Sequence, residues 1–131
     1  IAKGSRGKAA GILELNRFCS KLQTNVIGGA NKLFAYATSQ LHATSIFTYC
    51  DLRWNTGNVY QTMGFNYAST TLPNYWYLDF NKAQRIHRFN LRKNKDDDPA
   101  LTEWENRQEQ GWNRIWDCGN TKWIWMKKAE L

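Results

Sequence analysis

Two adjacent glycines, Gly28 and Gly29, stand between an extended segment and a helical repeat, and this junction constrains the fold more than any other stretch. Leu33, Phe34, Ala37 and Leu41 recur at helical spacing, so Asn31 to Leu41 reads as a helix. Ahead of it, Gly11 to Cys19 alternates as a strand, with Leu13 and Leu15 on one face and Glu14 and Asn16 on the other. Behind it, Ser45 to Asp51 is β-branched and aromatic and reads as the next strand. If the two strands run parallel, the unit is a right-handed βαβ crossover. Backbone N–H groups at the start of such a helix, left unobstructed by Gly28, Gly29 and Ala30, suit a phosphate. An ordinary tight turn uses glycine for its backbone angles as well, and the turn alone does not separate the two readings.

At 131 residues the chain fits one domain, and 42% hydrophobic residues with seven Trp give it material for a core. The 18 basic and 11 acidic residues leave +7, with a pI near 9.5, a balance that favours polyanionic partners such as nucleic acid. Residues 1–65 carry seven basic and two acidic groups, residues 66–131 eleven and nine. Within the second half, Lys82, Arg85, Arg88, Arg92, Lys93 and Lys95 form an acid-free block, and the acids follow from Asp96 to Glu109. The distant cysteines Cys19, Cys50 and Cys118 lack metal or redox spacing and read as reduced core thiols. No apolar run approaches the roughly 18 residues of a membrane span, and no charged-then-apolar leader is present, so the expectation is a soluble, cytoplasmic protein with no membrane partner. The opening Ile1, with Lys3, Arg6 and Lys8 among glycines, reads as a basic lead-in (1–10) from inside a longer protein.

Further along, Gly57 to Met63 reads as a short helix stopped by Gly64, and Phe65 to Ala68 and Asn74 to Phe80 as strands separated by a Pro73 turn. Arg85 to Lys93 reads as another strand, with Phe89 and Leu91 opposite Arg88 and Arg92. Asp96 to Pro99 is expected to be a linker, with Asp96 to Asp98 either solvated or a charge cluster at a helix start. Asp98 or Thr102 caps a helix from Leu101 to Gln110, which Gly111 ends. Asn113 to Cys118 and Lys122 to Met126 read as an aromatic hairpin across Gly119-Asn120.

Asp51, at the carboxyl end of its strand, is placed like a functional acid: it orients an amine or acts as a base, or it caps the following helix or pairs with Arg53. Tyr60 either protonates a leaving thiolate or packs on its helix. Arg85, Arg88, Arg92 and Lys93 can track phosphates, and Trp54, Tyr75 or Trp76 can stack on unpaired bases; a solvated strand face over aromatic core is the competing reading. A nuclease centre needs clustered carboxylates with a Lys, or a His-rich metal site. His42 and His87 fall on unrelated elements, and Glu103 and Glu105 have no Lys following, so no metal is expected.

The run of strand, Asn25-x-x-Gly28-x-Ala30 turn, helix, strand and Tyr60-x-x-x-Gly64-Phe65 resembles the second half of the GNAT acyltransferase fold, with Asn25 where that family has Gln or Arg. The resemblance implies acetyl-CoA or a related acyl-CoA, with its pyrophosphate on Gly28, Gly29, Ala30, Asn31 and Lys32, and Tyr60 facing the sulfur. Asp51 to Tyr60 also resembles Mom-type phage DNA-modification proteins, which implies catalytic roles for those two residues.

A longer resemblance rests on Leu13-Glu14-Leu15-Asn16-Arg17-Phe18-Cys19, Val26-Ile27-Gly28-Gly29-Ala30-Asn31-Lys32-Leu33, Tyr49-Cys50-Asp51-Leu52-Arg53-Trp54, Pro73-Asn74-Tyr75-Trp76-Tyr77, Arg88-Phe89-Asn90-Leu91-Arg92-Lys93 and Ile115-Trp116-Asp117-Cys118-Gly119. Together they are similar to the C-terminal region of phage Hef-type homing endonucleases, where a P-D/E-x-K nuclease domain lies upstream. The expectation is an α/β, GNAT-like mixed sheet flanked by helices (core 11–95), with a helix and aromatic β-hairpin extension (96–131). Its expected role is DNA-directed and accessory, with Arg53, Trp54, Arg85, Arg88, Arg92 and Lys93 as nucleic-acid contacts and an upstream nuclease domain as partner. Acyl-CoA-dependent transfer to DNA bases and a purely structural module are the alternatives.

Overall fold

The computed structural model describes residues 1–3 and 10–128; Arg6 and Lys8 of the basic lead-in lie outside them. The described residues form an α/β protein with two sheets and three α-helices. Contacts divide the chain into one unit of residues 1–71 with 119–131, and a second of residues 72–118.

The first unit holds β1 (Ala2–Lys3), β2 (Ile12–Glu14), α1 (Gly29–Gln40), β3 (Ser45–Asp51), α2 (Asn58–Thr62), β4 (Asn66–Thr70) and β8 (Asn120–Met126). Its sheet has the order β1-β2-β3-β8-β4. β2 and β3 are parallel around α1, the arrangement the sequence required for a βαβ unit, and β8 runs antiparallel to both β3 and β4. The alternation of β3 decides its two faces: Ile46, Thr48 and Cys50 are buried, while Phe47 is half-buried and Tyr49 exposed. Ile46 joins Phe34, Phe65 and Trp123 in the core, where Phe34 meets Phe65 at 5.1 Å and Trp125 edge-on at 5.5 Å. Leu33, expected on that helical stripe, is instead exposed, because the packed face of α1 runs through Ala30, Phe34 and on to Leu41.

The second unit holds β5 (Tyr75–Asp79), β6 (Gln84–His87), a 3₁₀ turn at Arg88–Leu91, α3 (Glu103–Glu109) and β7 (Asn113–Trp116), with the antiparallel order β6-β5-β7. α3 opens on a full capping box between Thr102 and Glu105. The hydroxyls of Tyr77 and Tyr75 donate to the Glu103 carboxylate at 2.8 and 3.2 Å, and the Tyr77 ring stacks on Trp104. Burial and that acceptor push the Tyr77 hydroxyl pKa up.

Three expectations are corrected. The aromatic hairpin does not form: β7 pairs with β5 in one sheet, and β8 lies between β3 and β4 in the other. The strand expected over 85–93 ends at His87, whose Nδ1 accepts from the Phe89 N–H and starts the 3₁₀ turn. The expected linker at 96–99 contains buried Asp97, which forms a bidentate pair with buried Arg107 at 2.7 and 2.8 Å.

Candidate nucleic-acid interface

The second unit concentrates arginines on aromatic rings. β5 turns Tyr75 and Tyr77 to one face and Trp76 and Leu78 to the other, so both faces carry rings that its neighbours can meet. The Arg85 guanidinium lies 4.4 Å from the Trp76 ring centre. The 3₁₀ turn brings Arg88 to 5.4 Å from both Tyr75 and Phe89, and Arg92 lies 3.9 Å from Phe89. Arg114, on β7 directly opposite Tyr77, reaches 3.8 Å from Trp104 and 5.0 Å from Tyr75. A guanidinium laid over a ring face is attracted by its negative quadrupole, while its N–H edge stays available to an anion.

The charges on this surface are not neutralised locally. Among the described residues none of Arg85, Arg88, Arg92 and Arg114 forms an ion pair, whereas Arg107, the fifth arginine of the unit, is 2% exposed and bound to Asp97. Arg107 also donates to the carbonyls of Leu91 and Arg92, so the buried pair holds the end of the 3₁₀ turn from which Arg88 and Arg92 project. Lys93 is differently used: its ammonium donates to the carbonyls of Pro99 and Leu101. Sequence reasoning named Arg85, Arg88 and Arg92 and missed Arg114 and Trp116. The register opposite β5 brings these two into the cluster, and a misread hairpin concealed that register.

In the first unit the expected phosphate loop sits at the start of α1. Gly28 is its N-cap, at φ 71°, and the first helical i to i−4 bond runs from Lys32 N–H to the Gly28 carbonyl. That leaves the amides of Ala30 and Asn31 at the open end of the helix. Nothing lies within 4 Å of the position a Gly28 side chain would take. The pairing of β2 with β3 ends with Leu15 N–H donating to Phe47 and the Thr48 hydroxyl donating to Leu15.

The two residues assigned catalytic roles by resemblance both make contacts within the first unit. Asp51 accepts from the Arg53 backbone at 2.9 Å and its guanidinium at 2.7 Å, which is the pairing alternative read from the sequence. Arg53 in turn lies 5.8 Å from the ring of Trp54, which is 76% exposed. Tyr60 packs against the core, its ring 5.8 Å from Phe65. Of the cysteines, only Cys50 is buried, and burial pushes its thiol pKa up; Cys19 and Cys118 are exposed, which corrects their reading as core residues. Cys118 lies two residues past β7 and Cys19 five past β2, both outside the alternation that buries Cys50.

Among the described residues no group of three or more His, Cys, Asp or Glu is placed to hold a metal ion, and no helix is long and apolar enough to cross a membrane. No protein-family model and no curated protein matches the chain.

Proposed function

We propose that this chain is a DNA-directed accessory domain on a GNAT-like scaffold, similar to the C-terminal region of phage Hef-type homing endonucleases and working beside an upstream nuclease domain in the host cytoplasm. The observation that carries the reading is the set of four arginines without carboxylate partners, each laid on an aromatic ring of the second unit. Arg85 and Arg92 are exposed and Arg88 and Arg114 half-buried, so an external polyanion can reach them, pair with their charge and release counterions. The scaffold part of the proposal draws on element order: strand, Gly-Gly turn, helix, parallel strand, short helix, Gly64-Phe65 and strand follow one another as the GNAT resemblance requires.

The test is DNA affinity as a function of salt. Replacing Arg88 and Arg92 together with Ala removes two phosphate contacts and reduces the slope of log K against log salt by about 2. An unchanged slope sinks the reading.

Acyl-CoA-dependent transfer is the second reading, favoured by the open space above Gly28. The Asp51–Arg53 pair and the packing of Tyr60 count against transferring catalytic roles to those side chains. Calorimetric titration with acetyl-CoA separates the two: micromolar binding moves transfer to first place, and silence leaves the scaffold without its ligand.

A further inference from the structure

We infer that the second unit selects unpaired DNA over duplex, with Trp116 as the platform on which a base stacks and Arg88 and Arg114 as the groups that hold the adjoining phosphates. The inference rests on the DNA-binding reading above and adds the form of DNA recognised.

Trp116 ends β7 and is 56% exposed, the most open ring of this cluster. Its orientation is set from one side by Tyr75, whose ring centre lies 5.1 Å away at a 58° tilt. Tyr75 is fixed in turn by its register opposite Trp116 and by the bond from its hydroxyl to Glu103. The platform is therefore held before any ligand arrives, which lowers the entropic cost of stacking. Arg88 and Arg114 lie 5.4 and 5.0 Å from that same Tyr75 ring, and Arg114 also lies 5.8 Å from the Trp116 ring, farther than the 3.9 Å of Arg92 from Phe89, so two cations stand beside the platform.

This arrangement matches a single strand better than a duplex. A duplex presents phosphates to the arginines, but its bases are already stacked and paired and offer no face to an indole. An unpaired base offers both faces, and stacking on an aromatic side chain strengthens binding about tenfold or more while tolerating any sequence. The other exposed ring of the cluster, Phe89, is less available, since His87 stacks parallel to it at 5.0 Å and Arg92 lies over it.

The experiment uses the full chain, with fluorescence anisotropy of labelled 15-nucleotide oligo-dT and a labelled 15-base-pair duplex at two salt concentrations. The expected result is at least about tenfold tighter binding of oligo-dT, a preference removed by Trp116→Ala and kept by Trp116→Phe. Trp116→Leu, which keeps apolar bulk on β7 without an aromatic plane, carries the same expectation should the Ala variant fail to fold. Equal or tighter duplex binding overturns the inference and leaves the DNA-binding reading standing. A single-strand preference that survives both Trp116→Ala and Trp116→Leu overturns the assignment to this ring. Failure to bind either probe overturns the inference and the DNA-binding reading together.

Discussion

Gly28 and Gly57 show how one residue type serves two purposes in the first unit. Both take positive φ, 71° and 89°, and both precede a helix, so any side chain at either position meets backbone strain. Around Gly28 the space is open, whereas a Cβ on Gly57 would lie 2.5 Å from the Trp123 ring. Gly57→Ala is therefore expected to destabilise the protein by at least about 2 kcal/mol in urea unfolding, from strain and overpacking together. Gly28→Ala is expected to cost only about 1 kcal/mol, the strain alone. A larger loss at Gly28 than at Gly57 would contradict this account. The same pair separates the two readings of the loop: a Gly28→Val chain that keeps its fold but loses acetyl-CoA binding marks a ligand site, and equal loss of both marks a structural turn. The glycine signal was legible in the sequence because the backbone angle is a local demand. The fate of Asp51 was legible only as an alternative, since a carboxylate two residues from an arginine pairs with it or not according to the turn between them.

At the level of elements, the short α3 organises much of the second unit. Its cap was readable as one of two candidates, Asp98 or Thr102, and Thr102 is the one used, in a capping box with Glu105 three residues on. Its buried face was not readable: Arg107 looks like a surface residue until the chain from Leu91 to Asp97 folds over it and supplies four acceptor atoms. Removing one partner of a buried ion pair leaves the other uncompensated, so Arg107→Ala is expected to cost about 3 to 5 kcal/mol. Because Arg107 also bonds the carbonyls next to Arg92, a folded Arg107 variant should weaken DNA binding as well. The Arg107 hydrogen bonds, followed by the Asn94 amide, hold the Asp97 carboxyl down at about 2, below its ordinary 3.8. A depressed carboxylate stabilises the fold above its unfolded pKa. That contribution is complete above about pH 4 and disappears as the pH falls toward 2. Tryptophan fluorescence across this window should report loss of the second unit's tertiary signal, and Asp97→Asn should remove that pH step. A step that persists in Asp97→Asn would assign it to another group.

For the whole molecule, the informative event is the change of sheet at Gly119. Gly-Asn between two aromatic runs is a strong local hairpin signal, and here the long-range partners override it. Trp123 pairs with Thr48 and Tyr67, and Trp116 with Tyr75, so each run was claimed by strands far away in sequence. Residues 72–118 thus enter the chain as an insertion between β4 and β8, which are themselves antiparallel neighbours. The junction is tied within each unit: Thr71 and Asn120 exchange bonds of 2.8 and 2.9 Å, and Asn74 and Asp117 exchange two of 2.8 Å. Chain ends held this close permit excision with little loop-closure cost. Replacing residues 72–118 by a short Gly-Ser linker is therefore expected to join β4 and β8 as a hairpin and leave the first unit folded. That shortened chain should lose salt-dependent DNA binding and keep whatever affinity the α1 loop has for acyl-CoA. Circular dichroism with the two titrations measures all three properties. DNA binding of undiminished strength would move the interface out of the second unit, and collapse of the remaining sheet would mean that β8 depends on the insertion to find its place between β3 and β4.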